Sequence, residues 1–191
     1  MILEGILTTE SADERMHVSP IGPHVDRRLE TWVLKPFKTS TTFSNLHRTH
    51  RAVFHIVDDA LLMVQAVVGI CNTQEGTPRA DYQPSVGWVL RNACRAIPLQ
   101  IQRWDLSKDR AIADCRAAEC IDIRPFWGWN RAANSLLELS ILWSRRDMLE
   151  HAFLSAEFER HKVVIQKTAG DREFEALALL ERSLADRSTT W

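Results

Sequence analysis

Short apolar and β-branched runs dominate the first two thirds of the chain, and they predict β-strands. The runs 2–10 and 16–26 flank a short polar stretch, so we predict that they form a hairpin. Pro20, Gly22 and Pro23 interrupt the second run, which is typical of an edge strand, a bulge or a close approach of the backbone to a neighbour. The chain is therefore expected to begin with a hairpin whose second strand is irregular.

The alternation of apolar and polar positions is clearest in the middle of the chain. Residues 93–104 and 110–123 both alternate and are separated by a polar turn, which predicts a second hairpin. Pro36 cannot lie inside a helix and favours an extended segment around it. The remaining predictions in this part are extended segments over 31–40 and 51–59 and a loop over 72–85.

Helical spacing replaces this alternation in the last third of the chain. Apolar positions recur there at intervals of three and four residues, which predicts three helices: one capped by Asn130, one over 155–167 and one capped by Asp171. Two shorter helices are predicted earlier, beginning near Thr41 and Asp59, where side chains suited to an N-cap precede helical sequence.

This order of elements predicts an α+β fold. Strands come first and helices last, and the strands can pair antiparallel through short turns, which indicates an antiparallel sheet that closes into a barrel. We expect a β-barrel domain over 1–128 and a helical C-terminal subdomain over 129–191.

The composition narrows the classes of partner. The 191 residues include 24 basic and 25 acidic side chains, and this balance argues against nucleic acid or a membrane surface as a partner. The N-terminus lacks the basic region of a signal peptide, and the longest apolar stretch, 60–71, is too short to cross a bilayer. The four cysteines form no CxxC pair and are expected to be reduced. These features predict a cytoplasmic protein.

Several kinds of site lack their sequence signature. The chain has no GxGxxG, no P-loop and no GxSxG motif. His47 and His50 are three residues apart, but no further ligands follow at a diagnostic spacing, so we predict no metal site. Trp127 and Trp129 are suited either to stacking on a ring system or to packing in a core or interface, and packing is favoured.

The stretch KPFKTSTTFSNLHRTHR, residues 35–51, is rich in cations and hydroxyls, and no acidic residue occurs between Thr31 and Val57. A helix that begins here would present free backbone N–H groups and the positive end of its dipole, and this arrangement suits a phosphate. An ordinary N-cap with surface lysines explains the same pattern, and the sequence leaves both readings open. The residues concerned are Lys35, Lys38, Thr39, Ser40, Thr41, Thr42, Ser44 and Asn45.

Four blocks of the sequence, taken in order, resemble a known family. They are ILEGILTTE from residue 2, VSPIGPHVD from residue 18, LKPFKTSTTFSNL from residue 34 and FWGWNRAANSLLELSIL from residue 126. They resemble domain-of-unknown-function family 447. That family has the FMN-binding split-barrel fold, which is related to flavin reductases and pyridoxamine-phosphate oxidases. The resemblance implies a split antiparallel β-barrel with a helical C-terminal part.

The resemblance also implies a cofactor, FMN, bound at the interface of a homodimer. Residues matching the family blocks would line the flavin ring (Ser19, Pro20, Ile21, Gly22), hold the phosphate and ribityl chain (Lys35, Thr39, Ser40, Thr42, Asn45) and approach from the second block (Asn130, Arg131). The implied function is a flavin-dependent oxidoreductase of unknown substrate. One alternative is a non-catalytic binding or scaffold protein for a phosphorylated or pterin-like small molecule, with a link to tetrahydromethanopterin one-carbon pathways. A barrel that binds no ligand is the other.

The chain departs from the family pattern at several of these positions. Lys35 stands where an arginine is expected, and a lysine lacks the bidentate fork that arginine offers to a phosphate. His17 replaces a frequent asparagine, and Ala133 and Asn134 replace a Lys-His pair. These departures bear on how tightly FMN is held.

Overall fold

The structure is a computed structural model that describes residues 1–188. It forms two compact units, one of residues 1–57 and 77–126 and one of residues 58–76 with the chain from 127 onward. The first unit consists of β-strands with one helix at residues 41–49, and the second is helical. The segment 58–76, which the expected division at residue 128 assigned to the barrel, groups with the helices.

The β-unit is built on one large sheet of antiparallel strands. Within the described chain the strands are β1 Gly5–Glu10, β2 Met16–Ile21, β3 His24–Val25, β4 Thr31–Leu34, β5 Arg51–Ile56, β6 Ala80–Gln83, β7 Gly87–Leu90, β8 Arg95–Asp105, β9 Ile112–Ala117 and β10 Ile121–Asp122. The main path of the sheet runs β2-β1-β5-β8-β9-β4-β3, and β10 pairs with β8, while β6 and β7 form a separate hairpin.

The sheet curls into a barrel because its two edge strands are almost continuous in the chain. β2 and β3 lie at opposite ends of the strand order, yet only residues 22 and 23 separate them. The N-terminal segment completes this closure: the amide of Leu3 donates to the carbonyl of Pro23 at 3.1 Å, and that of Val25 donates to the carbonyl of Met1 at 2.8 Å. The predicted first hairpin is therefore present, and its irregular second strand is the barrel seam.

Gly22 lies at a closely packed point of the seam. A Cβ at this position would lie 2.7 Å from Cγ2 of Ile2 and 2.8 Å from Oε1 of Glu4. Real Cβ atoms do not approach other atoms that closely, so a larger residue here would force the side chains of Ile2 and Glu4 to move. Of the three alternatives predicted from the sequence, the structure displays two: β2 lies at one end of the strand order, and the N-terminal segment packs closely against its end.

The barrel interior is packed with aliphatic side chains around an aromatic pair. The rings of Trp32 and Phe54 lie with their centroids 5.2 Å apart, and both side chains are fully buried. The helix α1, Thr41–Thr49, contributes Leu46 to this core, so one face of the helix packs against β1 and β2. Burial of a side chain of this size contributes about 1.5–3 kcal/mol, which anchors α1 on the barrel.

The loop prediction over 72–85 was wrong at β6, which pairs with β7 from Ala80 opposite Leu90 to Gln83 opposite Gly87. Tertiary contacts support this short exposed hairpin. The guanidinium of Arg51 donates to the carbonyl of Pro84 and to the hydroxyl of Tyr82. These partners lie about 30 residues from Arg51 in the chain, so local composition could not indicate the hairpin.

The second unit packs its helices around a separate apolar core. The described helices are α2 Ala60–Val67, α3 Arg131–Ser144, α4 His151–Thr168 and α5 Asp171–Ser188. Asp59 caps α2 by accepting from the amide of Leu62, as predicted, and its second oxygen accepts from Arg172 of α5. None of the helices described over residues 1–188 combines the length and the hydropathy that a membrane span requires.

Candidate functional site

The N-terminus of α1 is the centre of the candidate site, and Ser40 caps it. The Ser40 hydroxyl accepts from the amide of Phe43 at 3.1 Å and donates to the carbonyl of Phe37 at 2.7 Å. The predicted cap is therefore present. Because its hydroxyl hydrogen is used by Phe37, Ser40 holds the helix start in place and offers no further hydroxyl donor.

The first turn of α1 leaves donors unused. The backbone N–H groups of Thr41 and Thr42 donate to no acceptor within the part of the chain that the structure describes. No acidic side chain lies in this first turn. An α-helix concentrates about half a positive charge at such an end, so the turn favours an anion.

Two lysines flank this turn on different sides. The Nζ of Lys35 lies 3.2 Å from Nε2 of His24, beside the barrel seam. The Nζ of Lys38 donates to the carbonyl of Leu106 at 2.6 Å, in the turn that joins β8 and β9. Both side chains keep donors in addition to these contacts, because an ammonium group carries three hydrogens.

A cluster of hydroxyls and one imidazole lies on the barrel under the start of α1. The hydroxyl oxygen of Thr42 lies 3.0 Å from Oγ of Ser19 and 3.3 Å from Nε2 of His17, within hydrogen-bonding distance of both. In the β1–β2 hairpin, Leu7 is opposite Ser19 and Thr9 is opposite His17. Residues opposite each other in an antiparallel pair share a face, and α1 covers this face.

Asn45 joins the same helix face to β1. Its Nδ2 donates to Oγ1 of Thr9 at 3.0 Å and to Oγ of Ser11 at 3.4 Å, and the residue is buried. Thr42, Asn45 and Leu46 follow the spacing of one helical face, so the sequence itself places all three against the barrel. The donor atoms of Asn45 are consequently engaged within the protein.

Electrostatics in this cluster are governed by partial burial. Burial lowers the pKa of His17 below its ordinary value, since taking an imidazolium out of water is costly. His17 is therefore neutral at pH 7, with one ring nitrogen as donor and the other as acceptor. A neutral imidazole can form the contact with Thr42 in either direction.

The family models cover most of this chain. The model described as "Protein of unknown function (DUF447) N-terminal domain" matches residues 3–121, and the C-terminal model of the same family matches residues 130–182. The chain belongs to the DUF447 family. The first match ends within β10 and the second begins one residue before α3, so residues 122–129 lie between them.

Solved structures similar to this DUF447 chain include a family member. A crystal structure of an FMN-bound protein from Methanosarcina mazei, of the same family, has 21% identity and a TM-score of 0.80, over 95% of this chain and 94% of that one. An FMN-binding protein from Thermus thermophilus has 11% identity and a TM-score of 0.52, over 63% and 70% of the chains. A flavin reductase complexed with NADP⁺ has 9% identity and a TM-score of 0.57, over 68% and 82%. No curated protein matches the sequence. The predicted α+β split barrel is confirmed.

The residues that the DUF447 pattern pointed to are only partly brought together. Ser19 and Thr42 are in contact, and Ser40 and Asn45 lie on the same helix as Thr42. Thr39 is exposed just before the cap, and Lys35 lies beside the seam. The residues expected along the flavin ring form the end of β2 and the seam itself: Pro20, Ile21 and Gly22.

Asn130 and Arg131 belong to the helical unit. The side chain of Asn130 caps α3 by accepting from the amide of Ala133 at 3.0 Å, as predicted. Arg131 is the exposed first residue of that helix. Trp127 and Trp129 are each 88% exposed, so neither packs in the core of this chain, and that part of the sequence interpretation was wrong.

The back half of the cationic stretch is tied into the barrel. Arg48 donates to the carbonyl of Glu10, and Arg51 approaches the carboxylate of Glu10 at 3.6 Å. His47 stacks against Phe43 with ring centroids 5.5 Å apart. Over residues 1–188, no group of three or more His, Cys, Asp or Glu side chains could hold a metal ion.

Sequence reasoning did not place Thr9 and Ser11 in this site, and it named His17 only as a departure from the family pattern. Their only local signal is alternation, because Thr9 and Ser11 are two apart, as are His17 and Ser19. Alternation shows that such residues share a face, but it does not show which element covers that face.

Proposed function

We propose that this chain binds FMN, with the phosphate at the N-terminus of α1. The observation that carries the proposal is the pair of amides of Thr41 and Thr42, which have no acceptor within the described chain and start a helix with no acidic residue in its first turn. Anions bind such helix ends because the amides and the dipole act together. The likeness to the FMN-bound family member supports this cofactor.

The side chains around this helix end fit a phosphate. Thr39 and Thr41 are exposed and can donate hydroxyl hydrogens, and Ser19 and Thr42 lie on the barrel side of the turn. Lys35 and Lys38 supply positive charge from two directions. Ser40 and Asn45, which the family pattern also suggested, act by shaping the turn, because their donors are engaged within the protein.

The proposal extends to redox use of the flavin. Bound FMN supplies hydride and electron transfer, while the chain provides binding and orientation. The phosphate contacts fix one end of the cofactor, and the backbone of the seam at residues 20–22 is where the family pattern places the ring. A non-catalytic carrier of FMN or of another phosphorylated small molecule is the competing function, and we propose that the chain acts as a homodimer in either case.

A titration of the purified chain with flavins tests the cofactor. FMN and riboflavin share the ring and ribityl chain and differ only in the phosphate. We expect the fluorescence of FMN to be quenched on binding. FMN should bind at least tenfold more tightly than riboflavin, because one or two charged hydrogen bonds to its phosphate contribute about 1.5–3 kcal/mol each. Equal affinity for both flavins would contradict a phosphate site, and no binding of either would refute the function.

Substitutions locate the phosphate. Thr39→Val keeps the shape of the side chain and removes its exposed hydroxyl, and we expect it to weaken FMN binding about tenfold while riboflavin affinity stays unchanged. Thr31→Val is the matched control, since Thr31 is an exposed threonine at the start of β4. Unchanged FMN affinity in the Thr39 variant would place the phosphate elsewhere on the chain.

Two further measurements separate enzyme from carrier and define the assembly. Loss of the yellow flavin absorbance on addition of NADH or NADPH without oxygen would support redox use, whereas a flavin that stays oxidised with both donors would favour a carrier. Light scattering during size-exclusion chromatography should give twice the 21.9 kDa mass of one chain, and a mass of one chain would contradict the proposed homodimer.

A further inference from the structure

Thr42 contacts both Ser19 and His17, and the number of hydrogens on these three side chains limits which hydrogen bonds they can form together. The Thr42 oxygen lies 3.0 Å from Oγ of Ser19 and 3.3 Å from Nε2 of His17. Each hydroxyl carries one hydrogen, and a neutral imidazole carries one on either ring nitrogen. The direction of the two hydrogen bonds therefore depends on whether Nε2 of His17 holds a proton.

Two arrangements satisfy the geometry. When Nε2 is bare, Thr42 donates to His17 and Ser19 donates to Thr42, so both hydroxyl hydrogens are used inside the cluster. When Nε2 carries a proton, His17 donates to Thr42 and Thr42 donates to Ser19. The hydrogen of Ser19 is then left for a ligand. Protonation of the imidazole makes the second arrangement obligatory, because an imidazolium has no acceptor nitrogen.

We propose that His17 is a positioning residue of the anion site, whose protonation turns the hydroxyl of Ser19 into a donor for the ligand phosphate and strengthens its binding. This role rests on the proposed FMN site. It is distinct from that proposal, since the helix end could bind a phosphate with no contribution from His17.

The charged groups near His17 are engaged with one another and do not shift the pKa of its imidazole. Of the elements packed on β2, the β1 strand carries Glu10, which is paired with Arg51, and α1 carries Arg48, which donates to the Glu10 carbonyl. The pKa of His17 is lowered by burial, with no charged neighbour as a cause. An incoming phosphate would be the missing negative partner, and it should raise that pKa, since binding and protonation are reciprocally linked.

The test compares FMN affinity at pH 8.0 and pH 5.5 in the wild type and in His17→Gln. Glutamine keeps a hydrogen-bonding group but cannot titrate. The phosphate of FMN itself titrates near pH 6, and this effect cancels in the ratio of the two dissociation constants because both proteins bind the same ligand. We expect the ratio of the FMN dissociation constant of the variant to that of the wild type to be about threefold to tenfold higher at pH 5.5 than at pH 8.0. His47→Gln, which changes an exposed histidine on α1, is the control and should give the same ratio at both pH values.

A measurement on the unsubstituted chain keeps the inference testable if the variant does not fold. Titration of the His17 ring by NMR, without and with saturating FMN, should show a higher pKa in the complex. If the ratio is the same at both pH values, or if FMN leaves the pKa of His17 unchanged, this role of His17 is wrong even though the protein binds FMN. Absence of FMN binding at both pH values would overturn the proposed function and this role with it.

Discussion

His55 offers a prediction whose size follows from its surroundings. It lies on β5, is fully buried, and its Nε2 accepts from the amide of Leu90 at 3.1 Å. Burial lowers its pKa from 6.5 to about 4, and the nearby carbonyls of Ile6 and Val53 oppose part of that shift. Neither carbonyl makes a well-aligned hydrogen bond with Nδ1, which has no partner within the described chain.

The sign of the effect follows from proton binding. The unfolded chain takes up a proton on His55 near pH 6.5, while the folded chain resists it down to about pH 4. The contribution to stability is therefore complete above pH 6.5 and is lost as the pH falls from 6.5 to 4. Each pKa unit is worth about 1.4 kcal/mol, so the free energy of unfolding should fall by about 2 kcal/mol between pH 7 and pH 5 through this group.

Urea unfolding at pH 7 and pH 5, followed through the NMR signals of β5 amides, measures this loss in the barrel unit. His55→Gln removes the titrating group and keeps an acceptor for the Leu90 amide. We expect the variant to be less stable at pH 7 but to lose about 2 kcal/mol less than the wild type on going to pH 5. His47→Gln, an exposed histidine, should behave as the wild type. Parallel losses in the wild type and in His55→Gln would refute the argument.

Substitutions at two further positions test packing and capping. Gly5→Ala should lower the free energy of unfolding by about 2 kcal/mol or more, because its Cβ would lie 2.5 Å from the backbone oxygen of His55; an unchanged urea midpoint would contradict that contact. Ser40→Ala should cost about 1 kcal/mol through the lost cap, while Ser40→Asp should restore stability and weaken FMN binding, because it places a negative charge at the anion site. Equal FMN affinity in Ser40→Asp and the wild type would place the phosphate away from this turn.

The candidate site could be read from the sequence in part. Hydroxyls, cations and the absence of acids between Thr31 and Val57 indicated a helix start suited to an anion, and the cap of α1 is at Ser40 within that stretch. The sequence did not show which of these polar groups are hydrogen-bonded within the protein and which can reach a ligand. Ser40 and Asn45 matched the pattern as well as the exposed Thr39 did, yet their donors are engaged by Phe37 and Thr9.

The sequence by itself determined the local structure of this protein. Period-two alternation over 93–104 specifies β8, side-chain caps specify where α1, α2 and α3 begin, and the Gly-Pro seam permits the edge strands to be continuous. These features depend on interactions between residues close in the chain, which are readable without a fold.

Only the tertiary structure decided the remainder. The meeting of His17, Ser19 and Thr42 joins positions more than 20 residues apart, the hairpin of β6 and β7 is supported by Arg51, and His55 is buried against the amide of Leu90. In each case the deciding partner comes from another element. The energy of such a contact arises only when packing brings both partners together, so no local pattern of residues records it.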